Sequence, residues 1–214
     1  PEITACIGPE PETLDPALNK SVDGACYAVH AFEGIYKFDE NGNTILGQAE
    51  KVDVSDDGLT WDITLRDDIK WSDGEPVTVD DFIYSWQRAA SPETASDYAN
   101  LFDVIEGGAD VYQGKADPST LGVTKVDDTH MTVQLAAPCP YFDKLLAFPI
   151  YYPVRQDVVE GNDSWTQDPS TFIGNGPMML TDWSHKESIT YVKNPYYYDA
   201  DKVTDSTLKF ILLE

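Results

Sequence analysis

Leu65-Arg66-Asp67-Asp68-Ile69-Lys70-Trp71-Ser72-Asp73-Gly74-Glu75-Pro76-Val77-Thr78-Val79-Asp80-Asp81-Phe82 carries a strand end, a turn and a helix start in one run. Leu65 closes the stretch 60–65, where Trp61, Ile63 and Leu65 alternate with polar residues, the period of a strand with one buried face. Trp71-Ser72-Asp73-Gly74 is a turn signal. Thr78, followed three residues later by Asp81, is a capping-box signature, with the Asp81 carboxylate reaching back to the start of the helix. Beyond it Phe82, Ile83, Trp86, Ala89 and Ala90 fall at helical spacing and predict one apolar face.

Outward from this run the chain reads as local hairpins with helices between them. Lys51–Val54 and Thr60–Leu65 flank Asp56-Asp57-Gly58, and Ile35–Phe38 and the residues from Thr44 flank Asp39-Glu40-Asn41-Gly42. Gly122–Val126 with Thr129–Leu135, and Met178–Trp183 with Ile189–Lys193, make two more. Thr207–Leu213 is a closing strand, and Glu2–Ile7 is an opening one that needs sheet neighbours from the 178–193 hairpin. Helices are expected over Val22–Phe32, with apolar residues at Val22, Cys26, Val29 and Ala31–Phe32, within Ser91–Phe102, and over Tyr141–Leu146. Local strand pairs with interspersed helices predict a mixed α+β fold rather than a doubly wound parallel sheet.

Hydrophobic residues make up 42% of the 214, including 5 Trp, 12 Tyr and 8 Phe, enough for a packed core. Asp and Glu total 38 against 14 Lys and Arg, a net charge of −24. A field of that sign repels phosphate backbones and anionic lipid, which argues against a nucleic-acid partner. No stretch approaches the ~18 consecutive apolar residues of a membrane helix, and the most apolar run, Leu145–Val154, is broken by Pro149 and Pro153. The three cysteines, Cys6, Cys26 and Cys139, have no metal-like spacing and read as buried free thiols, a Cys6–Cys26 or Cys26–Cys139 bridge being the alternative.

Catalytic signatures are missing. There is no GxSxG, HExxH, Walker loop or dinucleotide fingerprint, and Gly174-Asn175-Gly176 lacks a third glycine. His130 and His185 read as solvent-facing, and His30 as a packed core histidine. The pairs Asp56–Asp57, Asp67–Asp68, Asp80–Asp81 and Asp127–Asp128 invite a glycosidase reading, but they fall in turns and at a helix start, where Asp is favoured for backbone reasons. The triplet Tyr196-Tyr197-Tyr198 reads as packing between strands, with ligand stacking as the alternative. No cofactor, metal ligand set or catalytic residue is expected.

Taken in order, Leu14-Asp15-Pro16, Phe32-Glu33-Gly34-Ile35, Asp57-Gly58-Leu59-Thr60-Trp61, the 65–82 run, Asn175-Gly176-Pro177, Trp183 and Lys193-Asn194-Pro195-Tyr196-Tyr197 resemble the family 5 solute-binding proteins that feed ABC importers of peptides and nickel. Phe82–Arg88, Thr94–Ala99, Pro140–Leu146 and Trp165-Thr166-Gln167 are most similar to the oligopeptide-binding branch. The resemblance implies a periplasmic-binding-protein type II-like lobe in which a second domain is inserted, the opposite lobe lying outside these residues. Carried onto this chain, 1–32 and 156–214 form an incomplete main domain, and 33–155 the inserted α+β domain.

The implied function is capture of extracellular oligopeptides for delivery to ABC permease subunits. Dipeptide, nickel chelate, haem or oligosaccharide are the alternatives within the family, and a carbohydrate-active enzyme the alternative outside it. The implied location is extracytoplasmic: the periplasm, or the outer face of the cell membrane through a lipid on a cysteine upstream of Pro1. In oligopeptide-binding relatives the ligand lies extended and pairs with a short segment after Leu-Asp-Pro, which here is Lys20, Ser21 and Val22. Tyr98 falls where the family places a tyrosine facing the ligand, and Lys20 departs from the acidic residue common at its position.

Overall fold

The computed structural model describes residues 1–213; Glu214, the last residue of the 156–214 segment, lies outside them. In chain order the elements are β1 (Glu2–Gly8), α1 (Val22–Ala31), β2 (Tyr36–Phe38), β3 (Thr44–Leu46), β4 (Ala49–Val54), β5 (Thr60–Leu65) and α2 (Val79–Ala90). They continue with α3 (Gly108–Tyr112), β6 (Val123–Asp127), β7 (His130–Gln134), α4 (Phe142–Leu145), α5 (Gln156–Val159), β8 (Met178–Ser184), β9 (Ser188–Lys193) and β10 (Thr207–Leu212), with single 3₁₀ turns between.

Three sheets result, and the fold is mixed α+β. One has the order β1-β10-β9-β8, a second is the β2-β3 hairpin, and the third has the order β4-β5-β7-β6. Every pairing is antiparallel except β1 with β10, where Glu2 sits opposite Thr207 and Ala5 opposite Phe210. The expectation that β1 takes its neighbours from the 178–193 hairpin is corrected in one respect. β1 shares that hairpin's sheet, but its direct partner is β10, which stands between them.

The helix at 79–90 forms as its start signal implies. Thr78 is extended, and its N–H donates to Asp81 Oδ2 at 2.9 Å. Val79, Phe82, Trp86, Ala89 and Ala90 are buried. Trp86 is fully enclosed, and its Nε1–H donates to the Tyr151 carbonyl at 2.8 Å. That bond and the Ser85 hydroxyl on the Tyr152 carbonyl tie α2 to the 149–154 run.

Ser91–Phe102 does not return to α-helix; only Ala99–Phe102 forms, as one 3₁₀ turn. Pro92 and the left-handed Ala95 (φ 56°) interrupt the backbone before it. The cysteines are all free, but the expected burial fails at Cys6, which is exposed, while Cys26 is half-buried and Cys139 buried. His130 and His185 are exposed, and His30 packs beside Tyr191 and Phe210, at ring separations of 6.2 and 5.6 Å.

Two buried polar clusters join distant parts of the chain. Arg88 holds Asp15 in a two-pronged pair, Nη1 to Oδ1 at 3.0 Å and Nη2 to Oδ2 at 2.5 Å. The Glu33 carboxylate accepts from the Tyr197 hydroxyl and from Gln48 Nε2 (2.9 Å), and lies 3.4 Å from Lys37 Nζ. Arg66 lies over the Tyr198 ring at 4.4 Å. Tyr197 and Tyr198 therefore pack a junction, and burial followed by the Glu33 charge pushes both phenols well above their usual range.

Asp81 gives a pH signature. Burial pushes its carboxyl up from the usual 3.8 to about 6, partly opposed by the Thr78 N–H and the Trp71 indole. A raised folded value means that the native state binds the proton more tightly than the unfolded chain. The contribution to stability is therefore full below about pH 4 and is lost as pH rises from 4 towards 6. Asp81→Asn should remove up to about 3 kcal/mol of pH dependence across that window. Urea midpoints of the two proteins, measured at pH 4 and pH 6.5, check it. His30, whose pKa burial lowers, acts in the opposite sense and is common to both proteins.

Candidate ligand-binding face

The loop before α1 is shaped by Asp15. Its carbonyl accepts from the Leu18 and Asn19 N–H groups (3.1 and 3.0 Å), and its Oδ1 accepts from Ala17 N–H (3.0 Å). Arg88 holds the same carboxylate from the other side, so the turn is fixed to α2. The chain leaves it extended. Ser21 (φ −127°, ψ 155°) is the N-cap of α1, its Oγ accepting from Gly24 N–H at 2.9 Å. A Cβ at Gly24 would stand 2.0 Å from Asn19 Oδ1, so a larger residue there would displace the Asn19 side chain.

This geometry leaves backbone groups open. Among the described residues, the Lys20 N–H and C=O and the Val22 N–H take no hydrogen-bond partner. They belong to the residues on either side of the extended Ser21, where the chain enters α1. The side chains around them are unequal. The Lys20 ammonium lies 3.2 Å from Glu12, and Glu12 first, with Asp97, raises its pKa. Val22 stands 82% exposed.

The helix expected over Val22–Phe32 forms, and of its apolar positions Ala31 and Phe32 pack into the core while Cys26 is half-buried and Val22 and Val29 are exposed. α1 buries Gly24, Tyr27, Ala28 and Ala31, and turns Val22 and Val29 outward. Val22, Ala25, Tyr98, Leu101 and Phe148 surround a cavity of about 270 Å³. Phe148 stacks obliquely on Phe38 at 5.7 Å, and beyond it Val29, Phe38 and Ile45 border a second hollow. Tyr98, Phe148, Val29, Phe38 and Ile45 are each about two-fifths exposed or more. Together they form an apolar strip beside the open backbone groups, the kind of surface that marks a binding site.

Of the four residues expected at the site, Ser21, Val22 and Tyr98 meet at this one cavity. Lys20 borders a neighbouring hollow of about 410 Å³ with Glu10, Glu12 and Asp23. Sequence reasoning passed over Leu101, Phe148, Phe38 and Ile45. The available signal was Phe148 in an apolar run that Pro149 breaks, which keeps a large ring at a bend instead of inside a helix.

In three of the four acidic pairs one member, Asp57, Asp81 or Asp127, accepts from a backbone N–H, while Asp80 and Asp128 pair with Lys125. Asp57 Oδ1 accepts from Leu59 N–H (3.0 Å) and Asp127 Oδ1 from Thr129 N–H (2.9 Å), and the hydrogen bond from His130 brings the Asp127 carboxyl down to about 2. No group of three or more His, Cys, Asp or Glu side chains among the described residues could hold a metal ion.

Comparison with known proteins gives a consistent result. The model of bacterial extracellular solute-binding proteins, family 5 Middle, matches residues 44–212. A dipeptide-binding protein of Lactococcus lactis is 41% identical over 184 residues, covering 83% of this chain and 33% of its own. The oligopeptide-binding protein OppA of Bacillus subtilis is 37% identical over 209 residues, covering 97% of this chain and 38% of its own. A solved structure of Listeria monocytogenes OppA bound to peptide superposes with a TM-score of 0.95 at 35% identity, over 99% of this chain and 42% of that one. The chain thus spans from a third to about two-fifths of the length of these proteins.

Proposed function

The chain belongs to the family 5 bacterial extracellular solute-binding proteins, and we propose that it supplies one wall of an oligopeptide-binding cleft in the substrate-capturing component of an ABC importer. One observation carries this reading. The free backbone groups of Lys20 and Val22 flank the extended Ser21, beside an apolar cavity that also holds Tyr98. A peptide has complementary N–H and C=O groups at strand spacing, so it can add to this edge whatever its sequence. A sugar or a metal chelate has no such repeat.

The ligand-facing set is then Lys20 and Val22 through the backbone, Ser21 between them with its own N–H donating to Asn19 Oδ1 and its C=O accepting from the Ala25 N–H, and Tyr98 against a side chain. Residues 1–32 with 156–214 form the main domain, and 33–155 the inserted one. The single parallel pairing, β1 with β10, supports that division by joining the two ends of the chain. The protein binds rather than catalyses, as the engagement of the Asp57 and Asp127 carboxylates with turn N–H groups supports. It hands peptide to permease subunits outside the cytoplasmic membrane, held there by a lipid on a cysteine upstream of Pro1.

The complete gene product, purified without denaturation and examined by native mass spectrometry, should carry co-purified peptides of mixed mass. A single discrete sugar or metal adduct instead would overturn the peptide reading.

A further inference from the structure

Two Asn-Gly pairs occur in the chain, Asn41-Gly42 and Asn175-Gly176, and the fold treats them in opposite ways. Asparagine before glycine loses ammonia most readily, because glycine has no side chain to shield its backbone nitrogen. Asn175 is buried. Its Oδ1 accepts from the Glu33 N–H at 3.0 Å and its Nδ2 donates to the Glu33 carbonyl at 2.9 Å, so both ends of the side chain are held. A Cβ at Gly176 would stand 2.6 Å from the Ala31 carbonyl carbon and from the Phe32 nitrogen, so neighbouring backbone encloses that glycine.

Nothing of this kind protects Asn41. It is exposed in the turn between β2 and β3, and among the described residues its side chain makes no hydrogen bond. Gly42 is left-handed (φ 77°), and a Cβ added there would meet nothing within 4 Å. Its N–H donates to the Asp39 carbonyl at 3.0 Å, inside the same turn. That bond can open locally without disturbing the core. Asp39 Oδ1 also accepts from the Asn41 and Asn43 N–H groups at 2.9 Å each, which sets the shape of the turn.

We infer that Asn41 is a site of spontaneous deamidation in the folded protein and that Asn175 is protected from it. The Gly42 nitrogen gives its proton to solvent and bonds to the Asn41 Cγ; the Cγ–Nδ2 bond breaks, and ammonia leaves with a proton from solvent. Water then opens the five-membered imide at either carbonyl, giving aspartate or isoaspartate at position 41. Ammonia is exchanged for water, and nothing is oxidised or reduced. The product carries one more negative charge. Its isoaspartyl form also adds one atom to the main chain of the turn, whose strands carry Phe38 and Ile45.

The test keeps the complete gene product in mildly alkaline buffer, with and without urea, and follows each asparagine by peptide mass spectrometry. Deamidation adds one mass unit, and labelling by an isoaspartyl methyltransferase marks the isomerised product. Without urea, Asn41 should convert at least about tenfold faster than Asn175, the difference in opening that burial imposes. In urea both become accessible, and their rates should agree within about threefold. Asn41→Gln should remove the fast conversion and leave the melting temperature unchanged, since the side chain holds nothing. Conversion of Asn41 at less than about three times the Asn175 rate in the native protein would overturn the proposal. So would conversion of Asn41 in urea alone, because the fold would then be guarding the turn.

Discussion

Trp86→Ala should leave the protein close to unfolding at room temperature. The side chain has no exposed surface, and its ring meets Phe82 and Tyr151 edge to face at 6.0 and 5.5 Å. Truncating a buried tryptophan to alanine costs about 3–5 kcal/mol in lost transfer energy and cavity. Here a hydrogen bond goes too, because the Tyr151 carbonyl loses the indole N–H that it accepts from. A buried acceptor left unpaired adds about 1–3 kcal/mol. Against a total of about 5–15 kcal/mol for a typical domain, that is most of the stability.

Two controls separate the terms. Trp86→Phe keeps most of the volume and loses the hydrogen bond, so it should cost measurably less than Trp86→Ala. Trp61 is also buried, yet its indole N–H has no partner. Trp61→Phe should therefore be milder than Trp86→Phe. Urea midpoints of the variants decide it, and equal costs for the two Trp→Phe changes would show that the Tyr151 bond contributes nothing.

What could be read from the sequence was mostly local. The capping box at Thr78 and Asp81, the alternation of Trp61, Ile63 and Leu65, and the Asp-Gly turns act within a few residues, and each appears where its spacing implies. The partners that fix the fold over long separations carry no such signal. β1 pairs with a strand some 205 residues away, and Asp15 meets Arg88 across 73 residues. The face of α1 shows a second limit. The apolar positions Val22, Cys26, Val29 and Ala31 have a helical period whether they meet the core or a ligand, and here Ala31 joins Tyr27 in the core while Val22 and Val29 face out. Lys20, Ser21, Val22 and Tyr98 were reached through the family resemblance. Nothing in their spacing shows that Tyr98 and Val22 share a cavity.

The central claim, that the open backbone groups of Lys20 and Val22 are the partners of the ligand, can be tested at Val22. It is the first residue of α1, where proline is favoured because its missing N–H is one that the helix does not use. Ser21 before it is already extended, the conformation that a following proline demands. Val22→Pro should thus leave melting unchanged or slightly raised, while removing the one donor that the cleft account gives to the peptide at that residue. A peptide carbonyl left unpaired in the closed cleft costs about 1–3 kcal/mol, or about 5- to 150-fold in affinity. The measurement is calorimetry of one tetrapeptide against the complete gene product and its Val22→Pro variant, with a thermal melt of each. The expected result is an affinity loss in that range at unchanged melting temperature. Unchanged affinity in a folded variant would contradict the account.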